Sequence, residues 1–415
     1  MKYNPISNCR ISGSTNLKTI LNLGHMALSG VFPPSSTTLV TSGPMTLVVC
    51  PDSGLVQLGQ NYNLDEMYGM NYGYRSGLNK SMVKHLTDKV AYLQTIKSIG
   101  PESTVIDIGG NDGTLLKAYA IDGLTRVCFD PTASKWSKYY EGTDITVHSG
   151  FFDGNSNYSA DIITSISMFY DLPNPNQFVQ DVKASLAPAG IWHSEQSYLP
   201  SMIKARSFDT ICQEHLEYYT LTVVNNLLEA NGMRIIDVQF NDINGGSFAF
   251  TAGHAEYDHK INVAEIDKVL QAEAIADWSN PASYKEFIVD ISEARRNLTH
   301  LIKKLNSSGK KVAALGASTK GNVLLQWCGF NNSDIAFISD VNPLKWGCYT
   351  PGSGIPIISE KSAAAERPDY MLVLPWHFKA SIIKRESEFL NAGGVLLFPL
   401  PKLTFVTKNG ESSEY

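Results

Sequence analysis

Short apolar runs alternate with helix-like patterns through most of the chain. Each run is followed by turn residues or by apolar positions at helical spacing, which is typical of a parallel sheet with helices on both faces. These apolar runs form two series. The earlier series comprises residues 104–108, 126–129, 161–166 and 190–193, and the later series comprises residues 312–315, 335–338, 370–374 and 395–398. The pattern therefore predicts an α/β protein with a doubly wound parallel sheet and a second, smaller α/β domain.

The segments around these two series follow different patterns. Short β-like runs at 46–50 and 54–58, separated by proline- and serine-rich turns, predict a small β-rich module at the start. Apolar residues at helical spacing predict a helix over 81–99 and a connecting helix that begins after Pro281. The predicted domains are residues 1–65, 66–255, 256–306 and 307–415.

Composition and charge narrow the range of partners. The 415 residues are 43% hydrophobic and 18% charged, which is ordinary for a folded globular chain. The net charge of −6 offers no basic surface to nucleic acid, and no apolar run predicts a leader or a membrane span. Six cysteines are too few for a disulfide framework in a chain of this length. We expect a cytoplasmic monomer or homodimer with no nucleic-acid or membrane partner.

A glycine-rich turn follows the first strand of the earlier series. The sequence from Asp107 to Gly113 has the spacing D-x-G-x-x-x-G, and its acidic side chains would repel the pyrophosphate of a dinucleotide. The turn resembles the S-adenosylmethionine loop of class I methyltransferases, although an ordinary strand-to-helix turn is the alternative. Asp130, which ends the next strand, is placed to accept hydrogen bonds from ribose hydroxyls. The loop and this acid predict cofactor contacts at Asp107, Gly109, Asn111, Asp112, Gly113 and Asp130.

Polar and aromatic residues are unusually dense at 192–198 and 207–219. Such stretches suit a pocket better than a core. His215 has an unperturbed pKa that suits proton transfer near neutral pH, and the adjacent Glu214 could tune it or orient a substrate. A single histidine is often structural, so this pattern alone leaves both roles open.

The segment 209–219, Asp-Thr-Ile-Cys-Gln-Glu-His-Leu-Glu-Tyr-Tyr, has a recognisable order of residues. It resembles the signature of the nucleotide-sugar C-methyltransferase family, and similar blocks follow the family order at 168–172, 192–198, 244–247 and 315–322. The resemblance implies a zinc-binding N-terminal domain, a class I methyltransferase domain and a C-terminal Rossmann-like domain, with the sugar nucleotide between domains.

The resemblance also implies roles for single residues. His215 would remove the C-3 proton of a nucleotide-linked 4-keto-6-deoxy sugar, and the resulting carbanion would take the methyl group. Glu214 and Tyr74 join His215 as catalytic candidates, and Phe169 joins the cofactor-binding ones. An aromatic element around Tyr72 is expected to cover the site, although a surface loop is the alternative. Further substrate-binding candidates in this half of the chain are Tyr72, Arg75 and Glu195.

The later series has its own strand, small-residue turn and helix start at 312–322. Backbone N–H groups, hydroxyls and a lysine in this turn could hold a diphosphate, or the turn could simply be well packed. The resemblance favours a sugar-nucleotide site at the ends of these strands. The substrate-binding candidates here are Ser318, Thr319, Lys320, Asn322, Asp340 and His377.

The N-terminal segment departs from the family pattern. Where relatives carry two C-x-x-C pairs, this chain has Cys9 with Ser12 and Cys50 with Ser53. A serine hydroxyl is a poor substitute for a thiolate in a closed zinc tetrahedron. We therefore expect no bound zinc, and no residue is assigned to a metal.

Other functions compete with this interpretation. The alternatives are an O- or N-methyltransferase acting on a sugar nucleotide, an NAD-dependent sugar oxidoreductase and a scaffold that has lost activity. The acidic loop argues against the oxidoreductase, and the surroundings of His215 argue against the scaffold.

Overall fold

A computed structural model describes residues 3–63, 66–67, 74–154 and 157–413. Tyr72, one of the substrate-binding candidates, lies outside the described residues. The chain begins with a β-rich module whose strands are β1 (Tyr3–Pro5), β2 (Lys18–Ala27), β3 (Ser42–Val49), β4 (Val56–Leu58) and β5 (Gln60–Tyr62).

A central α/β domain follows the module. Its helices are α1 (Lys80–Ile96), α2 (Thr114–Lys117), α3 (Pro175–Ser185), α4 (Leu199–Lys204) and α5 (Leu221–Ala230). Its strands are β6 (Thr104–Ile108), β7 (Thr125–Phe129), β8 (Ile145–His148), β9 (Ala160–Ile166), β10 (Leu186–Ser197), β11 (Glu217–Tyr218), β12 (Met233–Asn241) and β13 (Ser247–His254). Short 3₁₀ turns occur at Ser76–Leu78, Ala133–Tyr139, Phe169–Asp171, Phe208–Thr210 and Ile243–Gly245.

Two helices lead to the C-terminal domain. They are α6 (Val263–Ala276) and α7 (Lys285–Ser307), with a 3₁₀ turn at Pro281–Tyr284 between them. The domain itself contains the helices α8 (Thr319–Cys328), α9 (Glu360–Glu366), α10 (Lys379–Arg385) and α11 (Ser387–Asn391), and 3₁₀ turns at Pro343–Lys345 and Trp376–Phe378. Its strands are β14 (Val312–Leu315), β15 (Ile338–Asp340), β16 (Ile357–Ser359), β17 (Tyr370–Val373), β18 (Val395–Phe398), β19 (Thr404–Thr407) and β20 (Gly410–Ser412).

The central sheet is parallel over most of its width but not at one edge. Its strand order is β12-β13-β10-β9-β6-β7-β8, and β13 pairs antiparallel with both β10 and β12. The four runs that the sequence predicted in this sheet pair in parallel, and the antiparallel edge is added beside them by two strands that were not predicted. Residues 242–246 join β12 to β13, and so short a connection permits only a hairpin, since a parallel crossover needs about a dozen residues.

The C-terminal sheet has the order β16-β15-β14-β17-β18-β19-β20. Strands β14 to β18 pair in parallel, and β19 and β20 add an antiparallel edge. The predicted strand at 335–338 begins at Ile338 instead, although the Ala336 N–H still donates to the Val312 carbonyl at 2.9 Å. The observed strand thus lies a few residues later in the chain than the predicted run at both its start and its end.

The N-terminal module shares a sheet with the central domain. Strand β11 pairs with β4, so the sheet order is β11-β4-β3-β2. Gln213, just before β11, accepts hydrogen bonds from the Ser29 N–H and hydroxyl at 3.1 and 2.5 Å. Buried residues of the module, of α7 and of the C-terminal sheet also belong to one apolar cluster. The module therefore fixes the chain on both sides of Glu214 and His215.

Candidate active site

A cavity of about 620 Å³ lies at the carboxyl ends of the central strands, where parallel α/β sheets bind their ligands. The glycine-rich loop after β6 contributes to one part of its wall, and the loop after β14 contributes to another. The cavity thus borders both domains. The sequence-predicted residues that line it are Tyr74, Asp107, Gly109, Asn111, Asp130, Glu214, His215, Ser318, Thr319, Lys320 and His377.

The loop after β6 passes close to the cavity because two of its residues lack side chains. Gly109 has a φ of +77°, in the left-handed region that favours glycine. A Cβ atom on Gly110 would lie 2.7 Å from Cys128 Sγ and 3.1 Å from Asp107 Oδ2. Side chains at either position would therefore displace the loop or fill the space beside it.

Asp130 holds this loop in place from the end of β7. Its Oδ2 accepts a hydrogen bond from the Asn111 N–H at 2.8 Å, and its Oδ1 accepts the Thr132 N–H and hydroxyl at 2.5 and 2.6 Å. Carboxylate oxygens can accept more than one hydrogen bond each, so capacity for a ligand hydroxyl remains. Asp130 is therefore both a brace for the loop and a candidate ribose ligand.

Asp107 is buried beneath the loop and lines the same cavity. The Thr164 hydroxyl donates to its Oδ1 at 2.6 Å. Burial raises the pKa of Asp107 to about 7, although the hydrogen bond from Thr164 opposes this. A neighbouring positive charge or donor from a bound ligand would relieve the cost of ionising this carboxyl.

Asp112 and Gly113 shape the loop without lining the cavity. Asp112 Oδ2 accepts hydrogen bonds from Arg75 Nη1 at 3.1 Å and from the Gly77 N–H at 3.0 Å. Gly113 caps α2 with a φ of +74°, and a Cβ there would meet the Tyr140 ring at 2.7 Å. Arg75, expected to bind substrate, is instead occupied by Asp112 and by the Tyr139 ring, 4.3 Å from its guanidinium carbon.

One ring nitrogen of His215 is hydrogen-bonded to the backbone. Its Nδ1 lies 2.8 Å from the Thr210 carbonyl oxygen, which can only accept, so Nδ1 carries the proton. The lone pair of the neutral ring is therefore on Nε2. Burial, with the charge of Lys320, lowers the pKa of His215 to about 3, and the Thr210 carbonyl opposes this shift. The Tyr170 ring packs on the imidazole at a centroid distance of 4.4 Å.

Glu214 lies where the three parts of the chain meet. Its side chain contacts Gly30 of the module so closely that a Cβ there would clash with it, and Thr319 of the C-terminal domain is nearby. Burial raises the pKa of Glu214 to about 7, opposed by the charge of Lys345. Near neutral pH this carboxyl therefore keeps part of its protonated form, which can donate a hydrogen bond.

The loop after β14 brings the ammonium group of a partly buried lysine to the cavity. Lys320 Nζ donates to the Asn244 carbonyl at 2.8 Å, and burial lowers its pKa although the charge of Asp209 opposes this. Ser318 Oγ caps α8 by accepting the Gly321 N–H at 3.0 Å. Burial and the charge of Lys320 lower the pKa of His377 to about 3. Lys320 is thus a candidate anchor for a negatively charged ligand group.

Two candidates from the central domain lie in buried packing instead. The Phe169 ring is stacked on Tyr219 at a centroid distance of 5.1 Å and does not line the cavity. Glu195 contacts His85 Nε2 at 2.5 Å and Lys89 Nζ at 2.7 Å. Burial would raise the pKa of Glu195, but the His85 contact and the charge of Lys89 lower it to about 2. Neither Phe169, expected to bind the cofactor, nor Glu195, expected to bind substrate, lines the cavity.

Two candidates from the C-terminal domain are also committed elsewhere. Asn322 Nδ2 donates to the Ser29 carbonyl at 2.7 Å and joins the domain to the module. Asp340 accepts the Ala317 N–H and the Asn342 N–H, each at 2.7 Å, and does not line the cavity. Its carboxylate braces the loop after β14 as Asp130 braces the loop after β6.

Several residues of the cavity wall were not predicted one by one. Asn244 lines the wall with a φ of 56°, and its carbonyl holds Lys320. Its signal was present, because the segment 244–247 was recognised as a family block. Asp171 also lines the wall and lies in the block 168–172. Phe378 follows His377 at a strand end that the sequence placed at the same edge, and the turn Trp376–Phe378 brings it to the wall.

The residues that replace a zinc site lie together in the module. Cys9 Sγ is 3.2 Å from Ser53 Oγ, and Cys50 Sγ is 3.7 Å from Ser12 Oγ, so each cysteine faces the serine of the other pair. Among the described residues, no group of three or more His, Cys, Asp or Glu side chains could hold a metal. Two thiols and two hydroxyls do not form a structural zinc site, and hydrogen bonds join these four positions.

Comparisons with known proteins place this geometry in a class. A family model of a methyltransferase domain matches residues 78–238, one of a C-methyltransferase C-terminal domain matches 242–401, and one of a zinc-binding domain matches 9–68. The protein is therefore an S-adenosylmethionine-dependent methyltransferase. No helix in the described part of the chain has both the length and the apolar character of a membrane span.

A curated relative identifies the family. The chain is 30% identical over 406 residues to the C-methyltransferase NovU of Streptomyces niveus. The matched region covers 96% of this chain and 96% of NovU. The chain belongs to this C-methyltransferase family, as the signature at 209–219 indicated. The family assignment also decides against the oxidoreductase alternative.

Solved structures match only in part. The S-adenosylmethionine-dependent methyltransferase of Clostridium acetobutylicum is 9% identical with a TM-score of 0.34, covering 41% of this chain and 92% of that chain. The mitomycin 7-O-methyltransferase MmcR is 15% identical with a TM-score of 0.36, covering 42% of this chain and 54% of that chain.

Proposed function

We propose that this C-methyltransferase acts on a nucleotide-linked 4-keto-6-deoxy sugar at C-3, with His215 as the general base. The observation that carries the proposal is the hydrogen bond from His215 Nδ1 to the Thr210 carbonyl, because it leaves Nε2 as a proton acceptor at the cavity. A sugar carbon becomes a nucleophile only after it loses a proton beside a ketone. Oxygen and nitrogen nucleophiles already have a lone pair and need such a base less.

The cofactor fits the part of the cavity formed by the loop after β6. Gly109 and Gly110 let the backbone of this loop approach a ligand closely. The Asp107 carboxyl and the Asp130 carboxylate provide acceptors for hydroxyl or amino groups. We assign Asp107, Gly109, Asn111 and Asp130 to this ligand, and Asp112 and Gly113 to the shape of the loop. When bound, S-adenosylmethionine supplies an electrophilic methyl group on a sulfonium.

The sugar nucleotide is assigned to the C-terminal part of the cavity. Ser318, Thr319 and Lys320 lie at the start of α8, where N–H groups and a cation favour an anionic diphosphate. His377 is a further contact. Burial is the larger cause of the lowered pKa of His215, and the charge of Lys320 is the second. A diphosphate on Lys320 would offset this second cause and raise the pKa toward the pH at which a base works well.

In the proposed step, the C-3 proton moves to His215 Nε2 and leaves an enolate on the sugar. A carbon–carbon bond then forms as the methyl–sulfur bond breaks, which yields S-adenosylhomocysteine. The protonated form of Glu214 could donate a hydrogen bond to a substrate oxygen, and the half-exposed Tyr74 lines the same cavity. The protein mainly positions the two substrates and removes one proton.

The experiment is the replacement of His215 by asparagine. His215→Asn should lower kcat by roughly 10²–10⁴-fold, the usual range for a positioned acid–base group, and should leave S-adenosylhomocysteine affinity unchanged. In heavy water, wild-type enzyme should exchange the C-3 proton of the keto sugar without methyl transfer, and the variant should not. His254→Asn is the matched control, since His254 lies in the central domain outside this cavity. Wild-type turnover by His215→Asn would refute the mechanism.

A further inference from the structure

A buried hydrogen bond joins the C-terminal domain to the segment that carries the base. Trp376 Nε1 donates to Asp209 Oδ2 at 2.8 Å, and Asp209 is fully buried. The other carboxylate oxygen, Oδ1, accepts a hydrogen bond from the Ser207 hydroxyl at 2.8 Å. A buried carboxylate with donors on both oxygens has one preferred position, because leaving either oxygen unpaired is costly.

Asp209 and the carbonyl that orients His215 belong to the same short turn. Thr210 follows Asp209 in the 3₁₀ turn Phe208–Thr210, and its carbonyl accepts the His215 Nδ1 proton at 2.8 Å. The Thr210 N–H and hydroxyl are braced by the Ser207 carbonyl and hydroxyl at 3.2 and 2.9 Å. A displacement of Asp209 would therefore displace the acceptor that sets the His215 tautomer.

The other end of the hydrogen bond is rigidly linked to the wall of the cavity. Trp376 begins the turn Trp376–Phe378, and its neighbours Pro375, His377 and Phe378 all line the cavity. Pro375 packs against Gly316, where a Cβ would lie 2.6 Å from the proline ring. The position of Trp376 is thus coupled, through Pro375 and Gly316, to the loop after β14.

We propose that Trp376 is a positioning residue for His215, acting through Asp209 and the Thr210 carbonyl. His215 Nε2 then serves as a proton acceptor only when the C-terminal domain is packed in place, because Trp376 belongs to that domain. The catalytic consequence rests on the proposed role of His215 as base, whereas the control of its tautomer does not. A Trp376 that only filled space would tolerate phenylalanine without any change at His215.

The test compares Trp376→Phe with Trp346→Phe in the full-length enzyme. Both changes remove one indole N–H donor of the C-terminal domain, because Trp346 Nε1 donates to the Asp340 carbonyl at 2.7 Å away from the cavity. The tautomer of His215 is read from nitrogen-15 NMR of histidine-labelled protein, with the signal assigned by its loss in His215→Asn. Proton exchange at C-3 is measured in heavy water with saturating thymidine-diphosphate 4-keto-6-deoxyglucose and S-adenosylhomocysteine.

Trp376→Phe should lower the Nδ1–H population of His215 and slow C-3 exchange by about 5- to 30-fold, the effect of losing one buried hydrogen bond. Trp346→Phe should change neither. Asp209→Asn, which keeps an acceptor for Trp376 and a donor for Ser207, should retain the tautomer, and Asp209→Leu should lose it. An unchanged tautomer and exchange rate in Trp376→Phe, or equal losses in Trp346→Phe, would overturn the proposal. If wild-type enzyme catalyses no exchange, the role of His215 fails while the NMR result still decides the coupling.

Discussion

The two domains contain the same carboxylate brace, and this repetition allows a controlled test of cofactor binding at Asp130. Asp130 accepts the N–H groups of Asn111 and Thr132, and Asp340 accepts those of Ala317 and Asn342. Only Asp130 lines the cavity. Replacing either aspartate by asparagine converts one acceptor oxygen into a donor and disturbs the local loop to a similar degree. Any additional effect of Asp130→Asn on affinity would therefore come from the ligand.

The magnitude follows from the hydrogen bonds at risk. Losing charge-assisted hydrogen bonds to ribose hydroxyls should cost about 1.5–3 kcal/mol, which weakens S-adenosylhomocysteine by about 10- to 150-fold. Asp340→Asn should leave that affinity within about twofold of wild type, because it touches no atom of the cofactor part of the cavity. Both variants should lose stability, by about 1–3 kcal/mol, because each leaves a backbone donor facing an amide.

Isothermal titration calorimetry with S-adenosylhomocysteine measures the affinities, and urea unfolding of the same samples measures the stabilities. A dissociation constant for Asp130→Asn equal to that of wild type would remove Asp130 from the binding site. Equal weakening by both variants would assign the effect to loop structure and not to the ribose.

Three further results are expected. Lys320→Ala should raise the KM for the sugar nucleotide and leave S-adenosylhomocysteine affinity unchanged; equal losses for both ligands would indicate misfolding. Purified wild-type protein should carry little zinc by metal analysis, and tightly held zinc would contradict this. The double variant Ser12→Cys with Ser53→Cys should bind one zinc per chain, because the two serines lie beside Cys50 and Cys9 and four thiolates would then converge. Because the folded-state pKa of Glu214 is raised to about 7, its contribution to stability is present at low pH and lost as pH rises through 7. Glu214→Gln should therefore gain about 1–2 kcal/mol of unfolding free energy relative to wild type between pH 5.5 and 8, and parallel urea-unfolding profiles would disprove it.

The sequence predicted the parts of the fold that depend on local patterns. Apolar runs placed β6 and β14 at their observed bounds, and Asp107, Gly109 and Asn111 of the predicted glycine-rich loop line the cavity. The C-methyltransferase family was confirmed by the relative NovU. The roles of His215, Asp130 and Lys320 stay predictions, although all three line one cavity.

Other predicted residues do not line the cavity, because contacts between distant parts of the chain hold them elsewhere. A single sequence does not show such contacts. Glu195 lies in a polar block, but α1 supplies His85 and Lys89 to neutralise it, and this contact joins residues more than a hundred positions apart. Asp340 ends a strand as Asp130 does, and the same pattern gives a brace without access to the cavity. Strand ends predict which side of the sheet a residue occupies, but packing decides which of those side chains remain free.

The pairing of β11 with β4 has a consequence for recombining these enzymes. A module of this kind is normally viewed as an appendage that can be exchanged or deleted at its linker. Here Glu217 and Tyr218, two and three residues after His215, complete a sheet that belongs to the module. Arg10 of the module reaches the same strand, 3.4 Å from Glu217. A chimera cut between the module and the central domain would therefore mismatch the two halves of the sheet that holds the chain directly after His215. Productive crossovers should transfer residues 3–62 together with 207–219 as a single, discontinuous unit.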